Sequence, residues 1–153
     1  MKIKQILSRE TVLSTLQSRS KAEALTELAG LLTSRCPGVS ADEIAGVLLE
    51  REKLGSTGIG NGVAIPHGKI PQLTQIVSAF GRSVAGISFD AQDGKPVHLF
   101  FVLLAPENAA SLHLKALARL SRLLKDVHFR NKLMEAQDED ELFKEIIGED
   151  EKF

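Results

Sequence analysis

The chain contains no tryptophan and no tyrosine, and seven phenylalanines are its only aromatic residues apart from histidine. Stacking platforms for nucleic-acid bases are therefore confined to Phe. A single cysteine, Cys36, excludes an internal disulfide and a cysteine-based zinc site, and fits a reducing cytoplasm. No apolar run approaches the roughly 20 residues that a membrane span needs. The opening segment MKIKQILSRE has neither a long apolar centre nor a small-residue cleavage site, so no secretory leader is expected. A basic excess is missing too: the formal net charge is −1, which argues against a dedicated nucleic-acid or membrane-surface binder. What remains is a chain of 153 residues, expected to form one domain over 1–153 with a core of its own and a frayed tail over 148–153.

The apolar pattern predicts helices at both ends of the chain and strands between them. Ser20 with Glu23 reads as a capping box, followed by Ala24, Leu25, Leu28, Leu31 and Leu32 at helical period. After the breaker CPGVS, Ser40 with Glu43 reads as a second box, and Ile44, Val47 and Leu48 form the stripe behind it. A glycine-rich loop over Gly55 to Gly62 leads to the short apolar piece Val63 to Ile65. QIVSAFGRSV alternates like a strand, and GISFDAQDGKPV reads as a short extended piece with a turn at Asp93-Gly94. Val97 to Leu104, nearly all apolar, reads as a strand buried on both faces. Helices follow over about Ala109 to Leu124, from near Val127, and behind Asp138 and Glu141. The expected fold is one α/β domain with a sheet of about four to five strands flanked by helices, the Asp-Gly turn suggesting at least one antiparallel pair.

Three polar residues stand out on apolar faces or in a restrictive setting. Arg51 falls on the stripe of Ile44, Val47 and Leu48, where a guanidinium either finds an anion, reaches the surface, or pairs with Glu50 or Asp90. His113 shares a face with Leu117, Leu120 and Leu124, a setting in which most histidines are simply packed. His67 lies between Pro66, which fixes its own φ and biases Ile65 to an extended form, and Gly68, which permits close approach. Glycines Gly58, Gly60 and Gly62 around Asn61 are read as a loop that can turn consecutive amides toward an anion. A neutral imidazole fixed in this way suits nucleophilic attack on phosphorus, with a second histidine and an arginine balancing the spreading charge.

Other motifs fail on spacing. G-x-G-x-x-G would need glycine at 63 or 65, where Val63 and Ile65 stand; a P-loop ending at Gly68-Lys69 would need glycine at 63 and Ser or Thr at 70, where Val63 and Ile70 stand. His67, His98, His113 and His128 never fall at i and i+4, so no metal site is expected; His98 and His128 are read as structural or solvent-facing. No G-x-S-x-G elbow accompanies Ser56 or Ser111.

The run REKLGSTGIGNGVAIPHGK, Arg51 to Lys69, resembles the phosphorylation-site signature of phosphotransferase-system IIA domains of the mannitol/fructose superfamily, in a form most similar to the nitrogen-regulatory branch, IIA-Ntr. FDAQDGKPVHLFFVLLAP and HLKALARLSRLL extend the likeness over nearly the whole chain. The resemblance implies a mixed sheet flanked by helices, His67 as the phosphorylated residue, His113 as second histidine and Arg51 as phosphate-holding arginine. It implies a histidine phosphocarrier protein as donor, attachment at Nε2, no cofactor, and a possible transporter or sensor-kinase target. Sugar-transporting relatives often carry an acidic residue where this chain has Asn61, so regulation is expected in place of sugar uptake. The expected activities are phosphoryl carriage, control of a partner by contact, or, as a third reading, phosphate hydrolysis. With no fused transporter or carrier segment in the sequence, a free-standing cytoplasmic regulator is expected.

Overall fold

In the computed structural model, which describes residues 1–152, the chain begins with strand β1 (Leu7–Leu13) and continues through helices α1 (Lys21–Leu32) and α2 (Ala41–Glu52). Four strands follow in short order: β2 (Gly58–Gly60), β3 (Val63–Ala64), β4 (His67–Lys69) and the long β5 (Val77–Ile87). Strand β6 (Val97–Ala105) and helices α3 (Ala110–Leu124), α4 (Val127–Glu135) and α5 (Glu139–Asp150) complete it.

The helix starts are where the side chains say they should be. Ser40 Oγ accepts from Glu43 N at 3.1 Å while Glu43 Oε1 accepts from Ser40 N at 3.3 Å, a reciprocal box. At α1 only half of the box forms. Ser20 Oγ takes Glu23 N at 3.2 Å, but the Glu23 carboxylate turns to Arg19 N, one residue further upstream.

The six strands make one mixed sheet in the order β1-β5-β6-β3-β2, with β4 also paired to β6. β5 and β6 run antiparallel, while β1 is parallel to β5, and β3 and β4 are parallel to β6. Because β6 is central, its side chains serve two cores in alternation. Phe100, Val102 and Leu104 join Leu28, Ile44 and Leu48 of α1 and α2 on one face. Phe101 and Leu103 join Leu120, Leu133 and Ile146 of α3, α4 and α5 on the other. Burying each such large apolar side chain contributes about 1.5–3 kcal/mol, which is why this strand fixes the layers.

Three expectations are corrected. The sheet has six strands, not four to five, and its first strand precedes α1, so the order does not open on an α-helix: a single 3-10 turn (Ile3–Gln5) leads into β1. The tail over 148–150 is the last turn of α5, and Asp150 is only 1% exposed. Its carboxylate accepts from Ile3 N at 2.6 Å and from Arg119 Nε at 2.5 Å, clasping both ends of the chain to α3. Phe153 lies outside the described residues.

Candidate active site

Three element ends converge beside β6. His67 opens β4 and pairs in register with Leu103. Two residues past Leu103 the strand ends, and the chain turns through Pro106 into α3, placing His113 in that helix's first turn. The N-terminal end of a helix favours negative charge. Arg51 arrives from the last turn of α2, which packs against β4. All three side chains line one open cleft of about 710 Å³, together with Lys69 and the apolar Val47, Leu54 and Leu114. A smaller depression of about 270 Å³, lined by Ser56, Gln92 and Ser121, also includes Arg51 and His67.

The two imidazoles stand edge to face, with centroids 5.4 Å apart and 79° between the planes. His67 Nδ1 lies 2.9 Å from the carbonyl oxygen of Ile65. A carbonyl only accepts, so Nδ1 carries the proton and the lone pair sits on Nε2. Burial lowers the His67 pKa below 6.5, against the Ile65 hydrogen bond; nearby Arg51 lowers it further and Glu52 raises it. His113, 7% exposed, is lowered as well, first by burial and then by His67 and Lys69. Both rings are thus neutral near pH 7. His113 Nε2 is buried without any hydrogen-bond partner. An unmet buried polar atom costs about 1–3 kcal/mol, so a native protein that keeps one beside a cleft calls for a reason.

Arg51 takes neither carboxylate that the sequence offered it. Glu50 pairs with Lys53 at 2.7 Å and Asp90 lies 3.8 Å from Lys21, while Arg51 Nη1 donates to the Gly55 carbonyl at 3.0 Å. Among the described residues it forms no ion pair, and its charge is available to the cleft.

The glycine-rich segment differs from expectation. Gly58 to Ala64 is a tight hairpin: β2 and β3 pair antiparallel, and Asn61 (φ 58°) with Gly62 (φ 77°) make the two left-handed positions of the turn. The Gly58 amide donates to Ser56 Oγ at 3.0 Å and the Asn61 amide to Asp93 Oδ2 at 3.0 Å, so these two amides are spent inside the protein. None of Gly58, Gly60, Asn61 and Gly62 lines the cleft or the depression containing His67. Val63 and Ile65 are core residues, and Ile59 is partly exposed. His98 Nδ1 donates to the Ser83 carbonyl, and His128 faces solvent.

Sequence reasoning passed over two contributors. Lys69 follows Gly68 directly and lines the cleft, a position legible from strand alternation around His67. Glu52, within the charged string REK, is buried at 8% exposure; its place four residues past Leu48 and eight past Ile44, on the buried stripe of α2, was the signal that could have found it.

A mixed sheet with helices on both faces is the architecture shared with solved phosphotransferase-system IIA proteins. The solved nitrogen regulatory protein IIA-Ntr from Neisseria meningitidis superposes with a TM-score of 0.89 at 38% identity, over 94% of this chain and 98% of that one. Residues 5–149 match the family described as phosphoenolpyruvate-dependent sugar phosphotransferase system, EIIA 2. The chain belongs to that family, in its nitrogen-regulatory branch. It is 46% identical over 138 residues to a nitrogen regulatory protein of Bradyrhizobium diazoefficiens, covering 90% of each. It is 37% identical over 152 residues to the fructose-specific EIIABC component of Bacillus subtilis, spanning 99% of this chain and 24% of that protein. Among the described residues, no helix is long and apolar enough to cross a membrane.

Proposed function

We propose that the protein is a phosphoryl carrier with a regulatory output. It accepts a phosphoryl group from a phosphohistidine on a histidine phosphocarrier protein, and its two states act on a downstream partner. The observation that carries this reading is the fixed tautomer of His67, whose free Nε2 belongs to a ring lining a cleft shared with His113 and Arg51.

The transfer balances without added reagents. The Nε2 lone pair of His67 forms the new N–P bond. The donor's N–P bond breaks, and its electron pair stays on the donor's ring nitrogen. The Nδ1 proton of His67 remains bonded to Ile65 O and stabilises the ring as it acquires positive character. Arg51, Lys69 and a proton on His113 Nε2 offset the charge spread over the phosphoryl oxygens, so positioning and electrostatics supply the catalysis and no cofactor takes part.

The test is incubation with the general phosphocarrier, its kinase and phosphoenolpyruvate, followed by intact-mass measurement. One phosphoryl group, labile in acid and stable in base, is expected on the native protein and none on His67→Ala. Release of phosphate to water without an acceptor would turn the reading toward a hydrolase.

A second reading draws on the cleft's rim, where Leu54 is 84% and Leu114 68% exposed. Apolar side chains so placed suit a protein that acts on a transporter or sensor kinase by contact, with phosphorylation secondary. Under it, His67→Ala keeps full affinity for that partner; under the first, the variant loses the phosphate-dependent difference in affinity.

A further inference from the structure

Behind His67 lies a line of buried contacts that ends on a carboxylate. Glu52, the last residue of α2, turns away from the cleft. Lys21 Nζ, at the start of α1, lies 3.0 Å from its Oε1. That ammonium also sits 4.7 Å over the Phe89 ring and 3.8 Å from Asp90, which hold it in place. The Glu52 carboxylate accepts two hydrogen bonds from one residue, Thr57: from its amide at 3.1 Å and from its hydroxyl. Thr57 is buried as well. The Thr57 carbonyl accepts from Ile65 N at 3.0 Å, and the Ile65 carbonyl accepts from His67 Nδ1 at 2.9 Å.

Each step constrains the next. Two donors on one carboxylate fix the position and the rotation of Thr57, and a carboxylate held by a lysine has no other orientation to take. A fixed Thr57 carbonyl fixes Ile65, which is extended ahead of Pro66 and has little freedom of its own. Ile65 then presents its carbonyl to the ring, and that contact alone decides which nitrogen of His67 is protonated. A buried carboxylate is costly to keep, and the Lys21 ion pair with the two Thr57 hydrogen bonds compensates it here.

We infer that Glu52 is a positioning residue for His67, acting through Thr57 and Ile65 to hold the nucleophile in its Nδ1–H tautomer. The effect is mechanical, because Ile65 donates its amide to Thr57 on one side and accepts from the His67 ring with its carbonyl on the other, through different peptide groups. Glu52 never touches the phosphoryl group. The kinetic consequence rests on the carrier reading; the tautomer consequence does not.

The experiment therefore has two arms, applied to Glu52→Gln and, independently, Thr57→Val, each checked for fold by its amide NMR fingerprint. In the first arm, long-range proton–nitrogen NMR of the unphosphorylated protein, above the titration of His67, reads the tautomer. The native ring is expected to be almost wholly Nδ1–H, and the variants to show a clear admixture of Nε2–H. In the second arm, phosphorylation by the phosphocarrier is expected to slow roughly tenfold or more, with the KM for the donor unchanged. A tautomer ratio that stays native in a folded variant overturns the inference. If the native protein takes up no phosphate, the carrier reading fails, while the tautomer arm still decides the role of Glu52.

Discussion

His113 presents a buried, unpartnered Nε2 beside a cleft into which the neighbouring His67 can offer its own free Nε2, and the two rings are locked edge to face at 5.4 Å. His67 Nε2 carries its ring's lone pair, and His113 Nε2 has no hydrogen-bond partner among the described residues. The pair is asymmetric because, of these two rings, His67 alone has a carbonyl on its Nδ1 among the described residues.

That asymmetry predicts different losses from the two histidines. His67→Ala abolishes phosphate uptake. His113→Ala keeps it on His67 but slows it by about 10²–10³, the effect of removing one donor to developing charge. His113→Gln, whose amide can donate from a similar place, recovers part of the rate. Rapid-quench mass measurement separates these outcomes; equal, complete loss in both alanine variants would make His113 structural.

Both pKa values lie below 6.5, chiefly through burial, and this links them to stability. Between the lowered folded value and 6.5 the unfolded chain binds more protons than the folded one. Stability therefore falls as pH drops through 6.5 toward the folded values, and these two groups contribute no further change below them. Urea unfolding at intervals from about pH 7.5 to about pH 5 should show this slope, and His67→Ala and His113→Ala should each remove part of it. The phosphorylation rate should likewise hold to more acidic pH than free imidazole chemistry would allow, since neutral Nε2 persists there.

The parts of this molecule that were legible in the sequence are the ones specified by near neighbours. Ser40 and Glu43 lie three residues apart, and their box is local chemistry. Val97–Ala105 announces a doubly buried strand by composition alone. Strand β1 was not legible: Ser8, Arg9 and Glu10 interrupt its alternation, and a register shift between Leu7 and Val12 breaks its pairing with β5, some 70 positions away in the chain. Asn61-Gly62 did carry a hairpin signal, obscured by the surrounding glycines that also suit an anion loop. Arg51, His67 and His113 could be singled out because each is a polar residue in an apolar or rigid setting. Glu52 and Asp150 were passed over because each sits in a string of charges that reads as solvated face, although each lies four residues past a buried apolar residue of its helix, Leu48 and Ile146; the distant Lys21 and Arg119 meet them there.

Gly68 couples the strand of His67 to α2. A Cβ at Gly68 would collide with Val47 Cγ1, and a β-branched side chain has little room to turn aside. Gly68→Ala is expected to destabilise by about 1–3 kcal/mol and to slow transfer by shifting His67 away from Arg51. Adding Val47→Ala opens the space, so the double variant should recover stability relative to the sum of the single changes by about 0.5–3 kcal/mol. Additive losses in denaturant unfolding would mean that the two residues do not press on each other.

Arg82 offers a test of what holds the sheet to its second helical layer. It projects from β5, is 5% exposed, and among the described residues forms no ion pair. Its charge is met by carbonyls: Nε donates to Ser14 at 2.9 Å, and Nη1 to Leu133 at 2.9 Å and Ala136 at 2.5 Å. The last two close the C-terminal end of α4, where unpaired carbonyls and the helix dipole both favour a cation. Methionine would fill much of the space and remove the cost of a buried charge, which argues for a small effect. Against this, it would leave several dry carbonyls without donors, each worth about 1–3 kcal/mol. The second term involves more groups, so Arg82→Met is expected to destabilise by about 2–4 kcal/mol. Arg82→Lys, with three donors on one point and no fork, should fall between the two. Urea midpoints in the order native, lysine, methionine would support carbonyl capping. A methionine variant as stable as the native protein would show that hydrophobic filling alone joins α4 to the sheet.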